Sequence, residues 1–192
     1  MRFILKFDEF FKYMAKGFFR LFGYSVKTEF EIFKLPQKVD VVILRSKRTT
    51  QPASNGFTVL DYFLEHNLIS FKLFKDNFST ADVLELIIYF VGYINAEKSA
   101  RIDNTTATLI VTKMPTKVNQ MTGLHKLAEG KYILKMNLFS VYIVNVNEIE
   151  ITGNDAYFLI GYGKSERLQS FIPKIKEKAT TPRERKIVDK IN

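Results

Sequence analysis

The chain has 192 residues, with 29 Lys and Arg against 20 Asp and Glu, a formal net charge of +9. With no cysteine and only two histidines, disulfides, iron–sulfur clusters and Cys-type zinc sites are excluded, and a His-rich zinc centre is not expected. Hydrophobic residues make up 46%, too many for global disorder, and the basic excess favours an anionic partner, nucleic acid or a membrane surface.

The first segment carries Phe3, Phe7, Phe10, Phe11, Met14, Phe18, Leu21 and Phe22 at three- and four-residue steps. That spacing predicts one helix with a single apolar stripe, ended near Gly23. Such a stripe covers a sheet or lies on a membrane. Lys6, Asp8 and Glu9 interrupt the apolar start too early for a secretory leader. The longest apolar run, Leu84 to Ile94, falls short of the roughly 20 residues that span a bilayer, so a cytoplasmic protein with no membrane partner is expected.

Polar and apolar residues alternate from Thr28 to Phe33, the pattern of a half-buried strand, and Leu35-Pro36-Gln37-Lys38 makes a turn. Val39 to Leu44 is β-branched and reads as a second strand. Residues 45–56 read as a polar loop, and His66 to Phe71 as a third strand. Ser79 and Thr80 offer an N-cap for a helix whose expected buried face is Val83, Leu84, Ile87, Ile88, Val91 and Ile94. A strand at Thr106–Lys113 follows, then a helix at Thr116–Ala128 ended by Gly130. Tyr132–Met136 and Val141–Val146 form a hairpin through Asn137-Leu138-Phe139, and Glu166–Ile175 reads as a last helix. The order α, β, β, β, α, β predicts an α/β or α+β domain over residues 1–172, with a central mixed sheet flanked by helices and a basic tail over 173–192.

Burying a charge among apolar strand residues needs compensation, which singles out Asp40 between Val39 and Val41. Lys72 ends the third strand and Glu31 lies in the first. If these strands are neighbours, Glu31, Asp40 and Lys72 converge at one end of the sheet. Two carboxylates and a lysine suit a hard cation and a phosphodiester. The same residues also suit a capped turn at Asp40 and a snorkelling strand end at Lys72. Arg45, Lys47 and Arg48 could track a phosphate backbone or line a solvated loop, and the tail lysines and arginines could add non-specific phosphate contacts. His66 is expected in a surface turn and His125 exposed on a helix.

Three stretches carry a resemblance: Glu31 with Leu35-Pro36-Gln37-Lys38-Val39-Asp40-Val41-Val42-Ile43; Asn67-Leu68-Ile69-Ser70-Phe71-Lys72; and Asp76-Asn77-Phe78-Ser79-Thr80-Ala81-Asp82. Followed by a helix bearing Tyr89 and Tyr93, Thr106–Pro115, and Gly130-Lys131-Tyr132-Ile133-Leu134, they resemble the PD-(D/E)XK nuclease superfamily. More narrowly they are similar to its bacterial transposase-like and uncharacterised branch, over roughly Asp8 to Ile175. The resemblance implies a restriction-endonuclease-like α-β-β-β-α-β core with a four- to five-stranded mixed sheet and a small β-hairpin and helix extension. It implies a metal-dependent DNA endonuclease using Mg²⁺ or Mn²⁺, with no small-molecule cofactor and a possible homodimer. Asp40 would be the motif aspartate and a metal ligand, Lys72 the motif lysine and Glu31 a supporting acid. The Phe71 carbonyl would be a backbone ligand.

The motif places an acid two residues before the lysine, and here Ser70 stands there. A neutral hydroxyl ligates Mg²⁺ poorly. Either the acid has migrated, with Glu85 the nearest substitute ligand and Asp76 the next, or the site is degenerate and the fold serves binding to nucleic acid or a protein.

Overall fold

The computed structural model describes residues 12, 15–20, 23–31, 38–45, 58–72, 78–150 and 159. Helical residues 15–20 (α1) lead into β1 (Tyr24–Glu31), β2 (Lys38–Arg45) and β3 (His66–Lys72). Helix α2 (Thr80–Ala96) is followed by β4 (Thr105–Val111), the short helix α3 (Thr116–Asn119), β5 (Leu124–Ala128), β6 (Lys131–Lys135) and β7 (Ser140–Asn145). The strands form one seven-stranded mixed sheet in the order β1-β2-β3-β4-β7-β6-β5. β1 and β2 pair antiparallel, as do β2 and β3, while β3 and β4 run parallel, joined through α2. β4 and β7 are also parallel, and β7, β6 and β5 continue antiparallel.

Side chains alternate across the pleat, so each strand feeds two faces. Val41, Ile43, Ile69, Ile110 and Val144 point to one face and pack with Ala15 and Phe19 of α1 and with Val59, Leu60 and Phe63. Val42 and Leu68 point to the other and meet Tyr89 and Tyr93 of α2. On that same face Ala107, Leu109, Val111 and Ile143 meet Val83, Leu86 and Phe90. β4 is buried along its whole length, as an inner parallel strand covered on both faces must be. Among the described residues no helix is long and apolar enough to cross a membrane.

The α/β class and the order of the first six elements agree with the sequence. The segment 116–128 does not, because only Thr116–Asn119 is helical and Leu124–Ala128 is a strand. Gly123, at φ 86°, turns the chain so closely that a Cβ there would lie 2.7 Å from the Lys135 carbonyl oxygen. Gly130, at φ 67°, makes the next turn, and β5 folds back on β6 with Leu124 opposite Leu134. The expected hairpin of β6 and β7 is present, and it joins the main sheet through β7 rather than standing apart, which with β5 brings the strands among the described residues to seven.

Helix α2 has its Ser79 N-cap, and of the expected face Val83 is buried and Ile87 and Ile94 pack partly buried on the core, but the face is turned from the one expected. Val83, Leu86, Tyr89, Phe90, Gly92 and Tyr93 are buried, whereas Leu84, Ile88 and Val91 are 55–57% exposed. The helix is apolar nearly all round, and its aromatic rings, which bury the larger area, take the sheet. The expected helix Glu166–Ile175 and the tail 173–192 lie outside the described residues.

Candidate functional site

The register Val41↔Ile69, carried one step further, sets Asp40 across from Ser70 at the end of the β2–β3 pairing. The paired register ends at Val41↔Ile69, and the Asp40 side chain carries the contact beyond it. Its Oδ2 accepts from the Ser70 hydroxyl and from the Phe71 backbone N–H, both at 2.9 Å. An extended residue turns its N–H and C=O to the same neighbouring strand, so the Phe71 carbonyl lies on the same edge of β3 as its N–H.

Lys72, two residues after Ser70, projects to the same face, where α2 lies. Its Nζ is 2.8 Å from Asp82 Oδ1 and 3.6 Å from Glu85 Oε2. The other oxygen of Asp82 accepts from the Ser79 backbone N–H at 2.7 Å and the Ser79 hydroxyl at 2.9 Å. One carboxylate therefore binds the N-cap residue of α2 and holds the lysine. The Tyr89 hydroxyl donates to Glu85 Oε1, one helical turn away. Asp82, Glu85 and Tyr89 follow one another at three- and four-residue steps, so they share a stripe of α2 that runs along the end of β3.

Side-chain exposures of 23% for Lys72 and 16% for Asp82 put this ion pair between the surface and the interior, where charges interact more strongly than in open water. Burial alone would depress the Lys72 ammonium. The Asp82 hydrogen bond and the charges of Asp82, Glu85 and Asp40 outweigh it and hold the amine above its ordinary value. Burial pushes Asp82 up, but hydrogen bonds from Lys72 and Ser79 and the lysine charge bring it below the ordinary carboxylate value. The Tyr89 hydroxyl is raised by burial, by its bond to Glu85 and by the charges of Glu85 and Asp40. Those couplings make Asp40, Lys72, Asp82, Glu85 and Tyr89 one electrostatic cluster.

Asp40, Lys72 and Glu85 are thus brought together, as their positions in the sequence suggest. Glu31 falls opposite Lys38 in β1, two residues along from Asp40, and its side chain lies outside the described residues. So do Asp76, Lys47 and Arg48. Arg45 ends β2, five residues from Asp40 and roughly 17 Å along the strand at about 3.4 Å per residue, so it belongs to the opposite end of the strands. His66 is not in a surface turn: it starts β3, is 6% exposed, and its Nδ1 is 2.8 Å from the Tyr93 hydroxyl. His125 is exposed as expected, on β5 instead of a helix.

Asp82 and Tyr89 are the residues whose part in the cluster sequence reasoning missed. Both stand within stretches that carry the resemblance. The readable signal for Asp82 was Ser79-x-x-Asp82, a serine cap with an acid at the third helical position, directly after the strand that ends in lysine.

The described residues do not make a ready donor set for a divalent cation. Among them no group of three or more His, Asp or Glu side chains is arranged to hold an ion. The space between Asp82 and Glu85 is taken by the Lys72 ammonium, and Asp40 Oδ2 already accepts two donors. Comparison of the chain with family models, with curated proteins and with solved structures returned no match.

Proposed function

We propose that the chain is a degenerate relative of the PD-(D/E)XK nucleases, a nuclease-like domain that binds DNA and has lost, or keeps only weakly, phosphodiester cutting. The order α1-β1-β2-β3-α2-β4, with β1 to β4 as successive neighbours and β3 parallel to β4, supports this reading because it agrees with the core that the resemblance implies. The observation that carries it is the meeting of Asp40 and Lys72 at one end of adjacent strands, with the Ser70 hydroxyl bonded to Asp40 where the motif has an acid. Degeneracy follows from the chemistry of that contact. A serine hydroxyl donates to Asp40 instead of adding a second anionic ligand. The net charge of +9 supplies the attraction for a phosphate backbone.

Fluorescence anisotropy with duplex and single-stranded DNA in EDTA, repeated over a salt series, tests the binding. The expected result is an affinity that falls steeply and linearly on a log–log plot as salt rises. In parallel, supercoiled plasmid with Mn²⁺ should be nicked slowly or not at all by the wild type, and no faster by Asp40→Ala or Lys72→Ala. Absence of DNA binding, or rapid cutting that Asp40→Ala abolishes, would contradict the proposal.

One observation favours a second reading, a protein-interaction module that acts as a homodimer: Leu84, Ile88 and Val91 form an exposed apolar stripe on α2. Sedimentation of wild type and Ile88→Glu decides it. A dimer that the variant dissolves supports it, and a monomer at every concentration removes its basis.

A further inference from the structure

A tethered ammonium and a divalent cation are alternative answers to the same problem, two carboxylates facing each other in a half-buried place. Here the Lys72 amine lies 2.8 Å from Asp82 and 3.6 Å from Glu85, and the two acids come from the same helix stripe. Each acid is braced on its far side, Asp82 by Ser79 and Glu85 by the Tyr89 hydroxyl, so neither is available to swing toward a different partner without giving up a hydrogen bond. Asp40 is braced in the same manner by Ser70 and the Phe71 N–H.

We propose that Lys72 is the resident counter-cation of this cluster, so that the site is assembled without a divalent metal and DNA binding is metal-independent. The inference rests on the proposed function for taking the cluster as the site and DNA as its partner. The role of the ammonium stands on geometry alone, the two braced carboxylates at 2.8 and 3.6 Å from it. Two consequences follow. Added Mg²⁺ or Mn²⁺ meets a cluster whose gap is filled and gains no purchase there. Removing the ammonium leaves Asp82 and Glu85 facing each other with no cation, which costs stability and turns the gap into a place where a divalent ion can bind, with water completing its shell.

The test uses the full chain without DNA. Thermal melting and calorimetric titration with Mn²⁺ and with Mg²⁺ compare wild type, Lys72→Met and Lys72→Met/Asp82→Asn. The wild type should melt at the same temperature in EDTA and in either metal and give no saturable heat. Lys72→Met should melt several degrees lower in EDTA and recover on adding Mn²⁺. The double variant, whose Asn still offers an oxygen to Ser79, should recover in EDTA and lose the Mn²⁺ response. Saturable binding of Mn²⁺ to the wild type that Asp40→Asn or Glu85→Gln abolishes would overturn the proposal. So would a Lys72→Met protein that melts like the wild type and ignores Mn²⁺. Should Lys72→Met fail to fold, the wild-type titration alone decides. DNA affinity measured in EDTA and in Mg²⁺ separates the two claims. Equal affinity supports both, and higher affinity in Mg²⁺ counts against metal-independent binding. No binding in either removes the functional reading while the melting data still judge the counter-cation.

Discussion

Two histidines stand in this sequence, and the environment of His66 sets a testable pH dependence. His66 is buried at the start of β3 against the Tyr93 hydroxyl. Burial depresses its pKa, with Lys27 adding to the effect, while Glu97, Glu65 and a backbone contact from Ser99 oppose it only in part. A base whose folded pKa lies below its unfolded value, about 6.5, binds its proton first in the unfolded chain. The stability it contributes is therefore complete above about pH 6.5 and is lost as pH falls below that value. Urea denaturation between pH 7.5 and pH 5.5, with pH spanning about one unit either side of 6.5, should show stability falling toward acid. His66→Gln should flatten that slope. An equal slope in the variant would show that other groups cause it. Nothing in the sequence announced this burial, because a histidine between Glu65 and Asn67 reads equally well as the end of a polar turn. Asp40 was legible for the opposite reason, since a carboxylate within Val39–Ile43 is costly to bury unless hydrogen bonds or a cation meet it.

At the scale of elements, sequence pattern worked where period and composition agree. β2 and β4 are β-branched runs and β3 carries the short apolar core Leu68-Ile69 with Phe71, and their positions differ from expectation by only a residue or two. It failed where the period was ambiguous. Val118, Met121, Leu124 and Ala128 fit a helical stripe, yet two glycines at positive φ and pairing with β6 turn the segment into a hairpin strand, a tertiary choice that no local pattern fixes. Helix α2 is right in type and half right in face: Val83, Ile87 and Ile94 pack on the core, and Leu84, Ile88 and Val91 do not. Leu86, 1% exposed, packs with Ala107 and Leu109, while Ile88, two residues on, is 55% exposed. Leu86→Ala should cost about 2–5 kcal/mol, and Ile88→Ala should stay within about 0.5 kcal/mol for the monomer, measured by chemical denaturation at low protein concentration. Similar losses for both would mean that the stripe of Leu84, Ile88 and Val91 is covered in solution.

For the whole molecule, the sheet order brings the chemistry to one place. β2 and β3 are antiparallel neighbours, and the β3-α2-β4 crossover lays the start of α2 over the end of β3. That arrangement joins Asp40, Ser70 and Lys72 to Asp82 and Glu85, residues up to 45 positions apart in the chain. The strands and the placing of Asp40 and Lys72 at one end of adjacent strands were legible because they follow from local pattern and strand adjacency. The capture of the lysine by α2 was not, because it depends on the rotation of the helix about its own axis. Ser70 is the position at which the account stands or falls, since it is 8% exposed and directly across from Asp40.

The most direct measurement is Mn²⁺-dependent nicking of supercoiled plasmid by Ser70→Glu, run beside the wild type and Ser70→Glu/Asp40→Ala, with circular dichroism to establish that each is folded. A domain that lacks only its strand acid should gain cutting in Ser70→Glu and lose it again in the double variant. A folded Ser70→Glu protein that cuts no faster than the wild type would contradict the account.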